Sequence, residues 1–196
     1  MLDLLIIGAG FGGICMAAKA IHKGLNTVVL ERADEVGGTW RENTYPGCAC
    51  DTQSHHYSLS FAQNSDWSRR YASQPEILDY LKRTARTLGV TPHIRFGERV
   101  TELTFDEEKH FWTVNTEAGQ SFQARYVVSA VGQLNQPKIP DIPGLKDFSG
   151  TVMHSAQWDH DYDFTGKSIA VVDIDVHDED KRLIAIGRGT YMSQTG

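Results

Sequence analysis

The chain has 196 residues, a formal net charge of −6 and ordinary shares of apolar and charged side chains, which together predict a globular protein with a buried core. The negative charge argues against a nucleic-acid-binding protein, and no apolar run approaches the ~20 residues that a membrane span needs. The cysteines, Cys15, Cys48 and Cys50, show no CxxC spacing, and the chain opens with no signal peptide, so we expect a cytoplasmic protein without a disulfide framework.

The beginning of the chain predicts a strand, a glycine-rich turn, a helix and a second strand. Residues 2–7 form an apolar run typical of a buried parallel strand. Residues 14–23 place apolar side chains on one helical face, and Gly24 is a favourable residue for ending that helix. Residues 27–30 predict a second buried strand with Glu31 at its end, which completes a β–α–β unit.

The rest of the chain predicts a long loop, a helix and an antiparallel meander. Residues 33–60 lack periodicity, and loops of this length are usually functional or mobile. Residues 74–88 predict a helix that Ser73 caps, with a proline and a glutamate in its first turn. The predicted strands after it are 99–105, 111–116 and 121–126 for the meander and 126–130 for a return to the main sheet. A proline-rich connector at 132–144 and a further buried strand at 168–172 follow.

The turn after the first strand matches the pattern GxGxxG at Gly8, Gly10 and Gly13. In a β–α–β unit the first glycine permits the tight turn, the second lets the backbone approach a pyrophosphate, and the third lets helix and strand pack closely. The helix start offers free amides to the phosphates. Glu31 is placed to accept hydrogen bonds from a ribose diol and to repel a 2′-phosphate, so the predicted ligand is FAD or NAD rather than NADP. The alternative is a glycine turn without a ligand.

Several later segments resemble flavoprotein monooxygenases. The letters ERADEVGGTW at 31–40 resemble the second FAD contact of these enzymes, and NTYPG at 43–47, CD at 50–51 and HYS at 56–58 continue the likeness. The segment FSGTVMHSAQWD at 148–159 fits the Baeyer–Villiger monooxygenase fingerprint FxGxxxHxxxW(P/D) at every specified position. The related N- and S-oxygenating flavin-containing enzymes usually carry another aromatic residue at the tryptophan position, so the ketone-oxidising branch is favoured. The resemblance runs from residue 2 to about residue 172.

The resemblance implies an oxidoreductase in which NADPH reduces a bound FAD, and dioxygen is then used to insert oxygen into a small ketone. Asp51 matches the family's active-site aspartate beside the flavin. The implied cofactor-binding residues are Gly8, Gly10, Phe11, Gly13, Glu31, Arg32, Gly38, Thr39, Trp40, Asp51, Tyr57, Val100, Ala130 and Gly132. The fingerprint residues are Phe148, Gly150, His154, Trp158 and Asp159.

Within that set, Glu31 is expected at the adenosine ribose, Tyr57 near the flavin ring and the Val100 backbone at the adenine. His154 is expected to couple domains rather than to perform the oxygenation. Structural alternatives remain open, since Trp40 and Tyr57 also suit packing, Asp51 suits a turn and His154 suits a satisfied structural role. No metal site is predicted, because no further acid or histidine lies at ligand spacing from the two adjacent histidines at 55–56.

The resemblance divides the chain into a Rossmann-type FAD domain at 1–132, a fingerprint-bearing linker at 133–166, and a truncated or atypical start of an NADPH domain at 167–196. The fold class is therefore α/β, with a parallel sheet, a meander insertion and the start of a second dinucleotide domain. The second glycine-rich loop of the family falls on Asp173, Asp175 and Asp178, whose carboxylates and Cβ atoms oppose a pyrophosphate. Gly187 and Gly189 are a displaced alternative for that loop.

We therefore expect the NADPH site to be absent or disrupted in these 196 residues, and the chain alone to lack full turnover. The alternatives are a non-catalytic FAD-binding fragment, an N- or S-oxygenating flavin-containing monooxygenase, and a pyridine-nucleotide disulfide oxidoreductase, which shares the first β–α–β unit. The fingerprint and the missing CxxC argue against the last of these.

Overall fold

The computed structural model describes residues 1–134, 136–139, 141, 143–177 and 183–193. The chain divides into two compact units. The first comprises Met1–Glu42 and Gly47–Asn135, and the second comprises Asn43–Pro46 and Gln136–Gly196.

The first unit is built on a six-stranded sheet with the order β3-β2-β1-β6-β5-β4. Its strands are β1 (Leu2–Ile7), β2 (Thr27–Glu31), β3 (Ile94–Phe96), β4 (Val100–Asp106), β5 (Phe111–Thr116) and β6 (Ser121–Ser129). The pairs β1–β2, β1–β6 and β2–β3 are parallel, whereas β4–β5 and β5–β6 are antiparallel. Its helices are α1 (Phe11–His22), α2 (Thr39–Glu42) and α3 (Gln74–Thr87). The predicted α/β Rossmann-type fold is confirmed.

The β–α–β unit forms because its apolar residues have the right period for each element. Leu5 and Leu30, on the two parallel strands, are buried with Val114 and Ala124 in one core cluster. α1 buries a stripe of small and aliphatic residues against the sheet: Gly13, Ile14, Ala17, Ala18 and Ala20. Gly24 follows the helix in the left-handed region, with a φ of 73°.

Three details differ from the sequence predictions. β6 is one continuous strand, which pairs with β5 at Ala124 and with β1 from Leu2 to Ile7, so the meander and the return strand are a single element. β3 was not predicted, because three residues are too few for a periodic pattern. The predicted helix at 74–88 is confirmed as α3. Ser73 holds the cap position without a side-chain cap hydrogen bond, while the Glu76 carboxylate accepts hydrogen bonds from the amide and hydroxyl of Ser68.

The second unit contains a three-stranded sheet with the order β7-β9-β8. The strands are β7 (Val152–His154), β8 (Ser168–His177) and β9 (Leu183–Ser193), and both pairings are antiparallel. The strand predicted at 168–172 is therefore present but extends further.

The displaced glycine loop proposed at Gly187 and Gly189 is wrong. Both glycines lie inside β9, opposite Ile174 and Val172 of β8, so they do not turn from a strand into a helix. Asp173 and Asp175 lie inside β8, and Asp178 lies outside the described residues. Among the residues that the structure describes, no helix is long and apolar enough to cross a membrane.

Candidate functional site

The glycine-rich turn lies at the carboxyl end of β1, where α1 begins. Gly8 has a φ of 100°, and a Cβ atom there would lie 2.7 Å from the carbonyl oxygen of Ala130. A Cβ atom on Gly13 would overlap the carbonyl oxygen of Gly8, so the close contact of helix and strand requires glycine. These two positions therefore serve the geometry of the turn, as their spacing predicts.

Gly10 differs from the other two glycines. Its backbone is extended, with a φ of −82°, and an added Cβ would make only an ordinary contact of 3.6 Å with Gly38 Cα. The packing of the protein itself therefore does not require glycine here. A group that must come close to the main chain, such as a phosphate, gives a reason for glycine at this position.

The start of α1 is prepared for an anion. The first amides of a helix have no acceptor within the helix, and they lie at its positive end. Gly10 has no side chain with which to cap them, and the first turn of α1 contains no acidic residue. This 12-residue helix therefore offers unneutralised amides beside a glycine without a side chain, an arrangement that fits a dinucleotide diphosphate.

Glu31, at the end of β2, is buried, with 7% of its surface exposed. Its Oε2 accepts a hydrogen bond from the amide of Ala9 at 2.6 Å, and its Oε1 accepts one from the amide of Ala33 at 2.9 Å. The carboxylate thus joins the glycine turn to the loop after β2, a role that the sequence did not predict. Because each carboxylate oxygen has two acceptor positions, ribose hydroxyls can still be bound.

A second loop closes against the glycine turn. The amide of Gly37 donates to the carbonyl of Ala9 at 3.0 Å, and Gly38, with a φ of 54°, brings its backbone close to Gly10. Thr39 then begins α2. Arg32, which directly follows β2, forms an ion pair with Glu42 at 3.4 Å.

Three aromatic rings pack beside this turn. The ring of Tyr57 meets Phe11 edge-on at 4.9 Å and Trp40 edge-on at 5.7 Å, and the indole Nε1 of Trp40 donates a hydrogen bond to the Tyr57 hydroxyl at 3.0 Å. Burial raises the pKa of Tyr57, so its hydroxyl is protonated at neutral pH. The chain therefore brings together residues 11, 40 and 57, which the resemblance had placed in one site.

Asp51 lies at the same loop, exposed to solvent, and accepts a hydrogen bond from the Thr52 hydroxyl at 3.5 Å. It is close enough to Tyr57 for its charge to contribute to the raised pKa of that hydroxyl. Val100 begins β4 opposite Thr116 and packs on the core, and Gly132 has a φ of 72°.

Two residues of α3 that the sequence analysis did not identify contact this loop. The side-chain amide of Gln74 donates to the carbonyl of Trp40, and the Tyr80 hydroxyl bonds the backbone at Leu59 and Ala62. The glutamine at the start of the predicted helix was visible in the sequence, but its burial was not.

The fingerprint segment lies in the second unit. His154 caps a short turn, with its Nδ1 accepting from the amide of Ala156 at 3.1 Å, and burial lowers its pKa.

Trp158 stacks on Phe164 with ring centroids 5.2 Å apart and nearly parallel planes. The Asp159 carboxylate accepts from the amide of Asp161 at 2.9 Å. Phe148 is exposed, and Gly150 precedes β7. Within the described residues, no group of three metal-ligating side chains is present.

Comparisons with known proteins agree with one another. A family model described as pyridine nucleotide-disulphide oxidoreductase matches residues 5–173. The chain is 50% identical over 168 residues to a Baeyer–Villiger monooxygenase of Streptomyces coelicolor, covering 85% of this chain and 32% of that relative.

Solved structures give the same grouping. The open crystal structure of cyclohexanone monooxygenase has a TM-score of 0.77 and 41% identity, over 85% of this chain and 34% of that one. The structure titled OTEMO complex with FAD and NADP has a TM-score of 0.77 and 38% identity, over 85% of this chain and 33% of that one. The chain thus spans about a third of the length of the proteins it matches. The Streptomyces relative and the cyclohexanone enzyme are named as monooxygenases, and the present sequence has no CxxC pair of the disulphide reductases.

Proposed function

Because the chain belongs to the pyridine nucleotide-disulphide oxidoreductase family and, within it, to the flavin-dependent Baeyer–Villiger and flavin-containing monooxygenases, we propose that it is the FAD-binding part of an enzyme that uses NADPH and O₂ to insert oxygen into a ketone. FAD would supply the redox chemistry. The residues of this chain would bind and orient the cofactor.

One observation carries the proposal, namely the hydrogen bond from the Ala9 amide to the Glu31 carboxylate at 2.6 Å. It fixes a carboxylate beside the turn whose free amides would bind a diphosphate. In this arrangement the α1 start would hold the diphosphate, and Glu31 would bind the adjacent ribose. A buried carboxylate there opposes a 2′-phosphate, which favours FAD over NADP at this turn.

The aromatic group of Phe11, Trp40 and Tyr57 would border the cofactor on the flavin side. The protonated Tyr57 hydroxyl already accepts from Trp40, so its own proton is available to an acceptor on a ligand. We assign Asp51, exposed beside Tyr57, as the acidic residue of the reacting centre.

The direct test is equilibrium titration of the purified chain with FAD and, separately, with NADP⁺, followed by tryptophan emission. We expect FAD to bind and NADP⁺ to bind much more weakly. Gly10→Asp is expected to abolish FAD retention, because it adds bulk and charge against the diphosphate. A chain without measurable affinity for FAD contradicts the proposal.

We also propose that these residues do not form an NADPH site by themselves. Asp173 and Asp175 stand in β8 where the family's second glycine turn is expected, and carboxylates repel a pyrophosphate. The test is NADPH consumption by the FAD-loaded chain with and without cyclohexanone. Ketone-dependent NADPH oxidation contradicts this part of the proposal and leaves the FAD assignment standing.

A further inference from the structure

The long segment between β2 and α3 carries Gly38, Trp40, Asp51 and Tyr57. Every residue of this segment is described, and its regular structure is limited to the single turn of α2. A loop of this length needs contacts from elsewhere to hold a single conformation. Besides its contacts with the glycine turn, the segment is held by contacts from α3, the helix that follows it.

Gln74 anchors the beginning of the segment. Its side chain is 7% exposed, and its Nε2 donates a hydrogen bond to the backbone carbonyl of Trp40. The backbone amide of the same residue donates to the carbonyl of Cys48 at 2.9 Å. One residue of α3 therefore fixes two points of the segment, on either side of residues 41–47.

Tyr80 anchors its middle. It is 3% exposed, its hydroxyl accepts from the amide of Leu59 at 2.8 Å, and the same hydroxyl donates to the carbonyl of Ala62 at 2.8 Å. Its ring lies 6.0 Å from the ring of Phe11, at the start of α1. Tyr80 therefore satisfies two backbone groups of the segment and touches the glycine turn.

Tyr57 lies between these anchors. Trp40, held by Gln74, donates to the Tyr57 hydroxyl, and Leu59, held by Tyr80, lies two residues after it. Other ties from α3, such as the pair of Lys82 with Glu35 at 2.6 Å, involve partly exposed side chains and contribute little. Buried hydrogen bonds from the side chains of Gln74 and Tyr80 thus hold the segment on both sides of Tyr57, in addition to the bonds of its own amide to Gln53 and Ser54.

We propose that Gln74 and Tyr80 are positioning residues, which hold Trp40 and Tyr57 against the glycine turn before the cofactor arrives. The proposal rests on the proposed FAD function. Preorganisation lowers the ordering cost of binding, so loss of either anchor weakens affinity without removing a group that touches the ligand.

The test uses the full chain with Tyr80→Phe and Gln74→Leu, and with Thr84→Val as the matched control. Thr84 is also buried on α3, one turn beyond Tyr80. FAD affinity is measured by titration, stability by thermal unfolding, and the environment of the flavin by the emission of the bound FAD, which nearby tyrosine and tryptophan rings quench. We expect each anchor variant to weaken FAD binding about tenfold, equivalent to ~1.4 kcal/mol, and to brighten the bound flavin. The control is expected to change neither, even where all three lower the Tm.

The outcomes separate the two proposals. If the unaltered chain does not bind FAD, the proposed function fails. If it binds and the anchor variants match Thr84→Val in affinity and emission, the positioning role is overturned. Hydrogen exchange on the unaltered chain covers the case in which the variants do not fold. The Leu59 amide is expected to be protected before FAD is added, and exchange at the rate of an unfolded chain overturns the proposal.

Discussion

Replacing Glu31 with glutamine tests the link between the turn and the second strand. The carboxylate accepts two backbone hydrogen bonds, at 2.6 Å from Ala9 and at 2.9 Å from Ala33. A glutamine keeps the shape but has one carbonyl oxygen, and its amino group faces an amide that is itself a donor. One charge-assisted hydrogen bond is therefore lost, which costs about 1.5–3 kcal/mol. The free energy of unfolding of a whole domain is roughly 5–15 kcal/mol, so a loss of this size is readily measured.

The assay is urea unfolding of the FAD-free protein, followed by FAD and NADP⁺ titration of the folded variant. Glu98→Gln is the matched control, because the Glu98 carboxylate also accepts a close hydrogen bond, at 2.6 Å, but from the Thr116 hydroxyl. We expect the control to lose less than ~1 kcal/mol, since a neutral donor can also bond a glutamine oxygen. We expect Glu31→Gln to weaken FAD binding and to reduce the preference over NADP⁺. Unchanged stability without FAD refutes the link, and unchanged affinity removes Glu31 from the site.

Three further predictions concern single positions. Gly10→Ala is expected to lower FAD affinity while leaving the free energy of unfolding nearly unchanged. Gly12→Ala, whose Cβ would make a similar 3.7 Å contact with Ala130, is the control and is expected to keep the affinity. Equal FAD affinities of the two variants in a titration argue against a close approach of phosphate at Gly10. Gly13→Ala is expected to lower the free energy of unfolding by about 1–3 kcal/mol or more, because its Cβ meets the backbone of the turn; a urea midpoint equal to that of the unaltered chain contradicts the packing. Burial lowers the pKa of His154 below its ordinary 6.5, so the contribution of the neutral ring to stability is present above pH 6.5 and is lost as the pH falls through the lowered pKa. We expect the Tm of the unaltered chain, relative to that of His154→Asn, which keeps a cap acceptor, to fall on acidification. Parallel curves of Tm against pH for the two proteins exclude the effect.

The β–α–β unit was predictable because its signals are local. The apolar runs of β1 and β2 have no polar interruption beyond Asp3, and the glycines between them constrain the turn at fixed offsets. The meander was predictable for the same reason, because its segments alternate apolar and polar residues along the sequence and turn residues at 106–109 and 117–120 separate them. The predicted break near Tyr126 was wrong, since one strand changes partner without changing its own backbone conformation.

Other features depend on distant contacts and leave no local pattern. Glu31 was predicted as a ribose ligand, but its bonds to Ala9 and Ala33 become visible only when the turn folds back over β2. Gln74 and Tyr80 look like ordinary helix residues until the loop packs on them. Sequence patterns thus identify the segment that forms the site more readily than the side chains that support it.

The shared strand β6 has a consequence for protein engineering. Ala124 of β6 pairs with β5 and also with β1. Deleting the hairpin of β4 and β5 would therefore expose β6 as a new edge of the main sheet, so this hairpin is not a removable module. Its tip is a different matter. The turn after Asp106 is exposed, and Glu108, Lys109 and His110 hold it by local contacts back to Asp106. It is therefore a suitable point for grafting a fluorescent reporter or a new chain terminus without disturbing the strands.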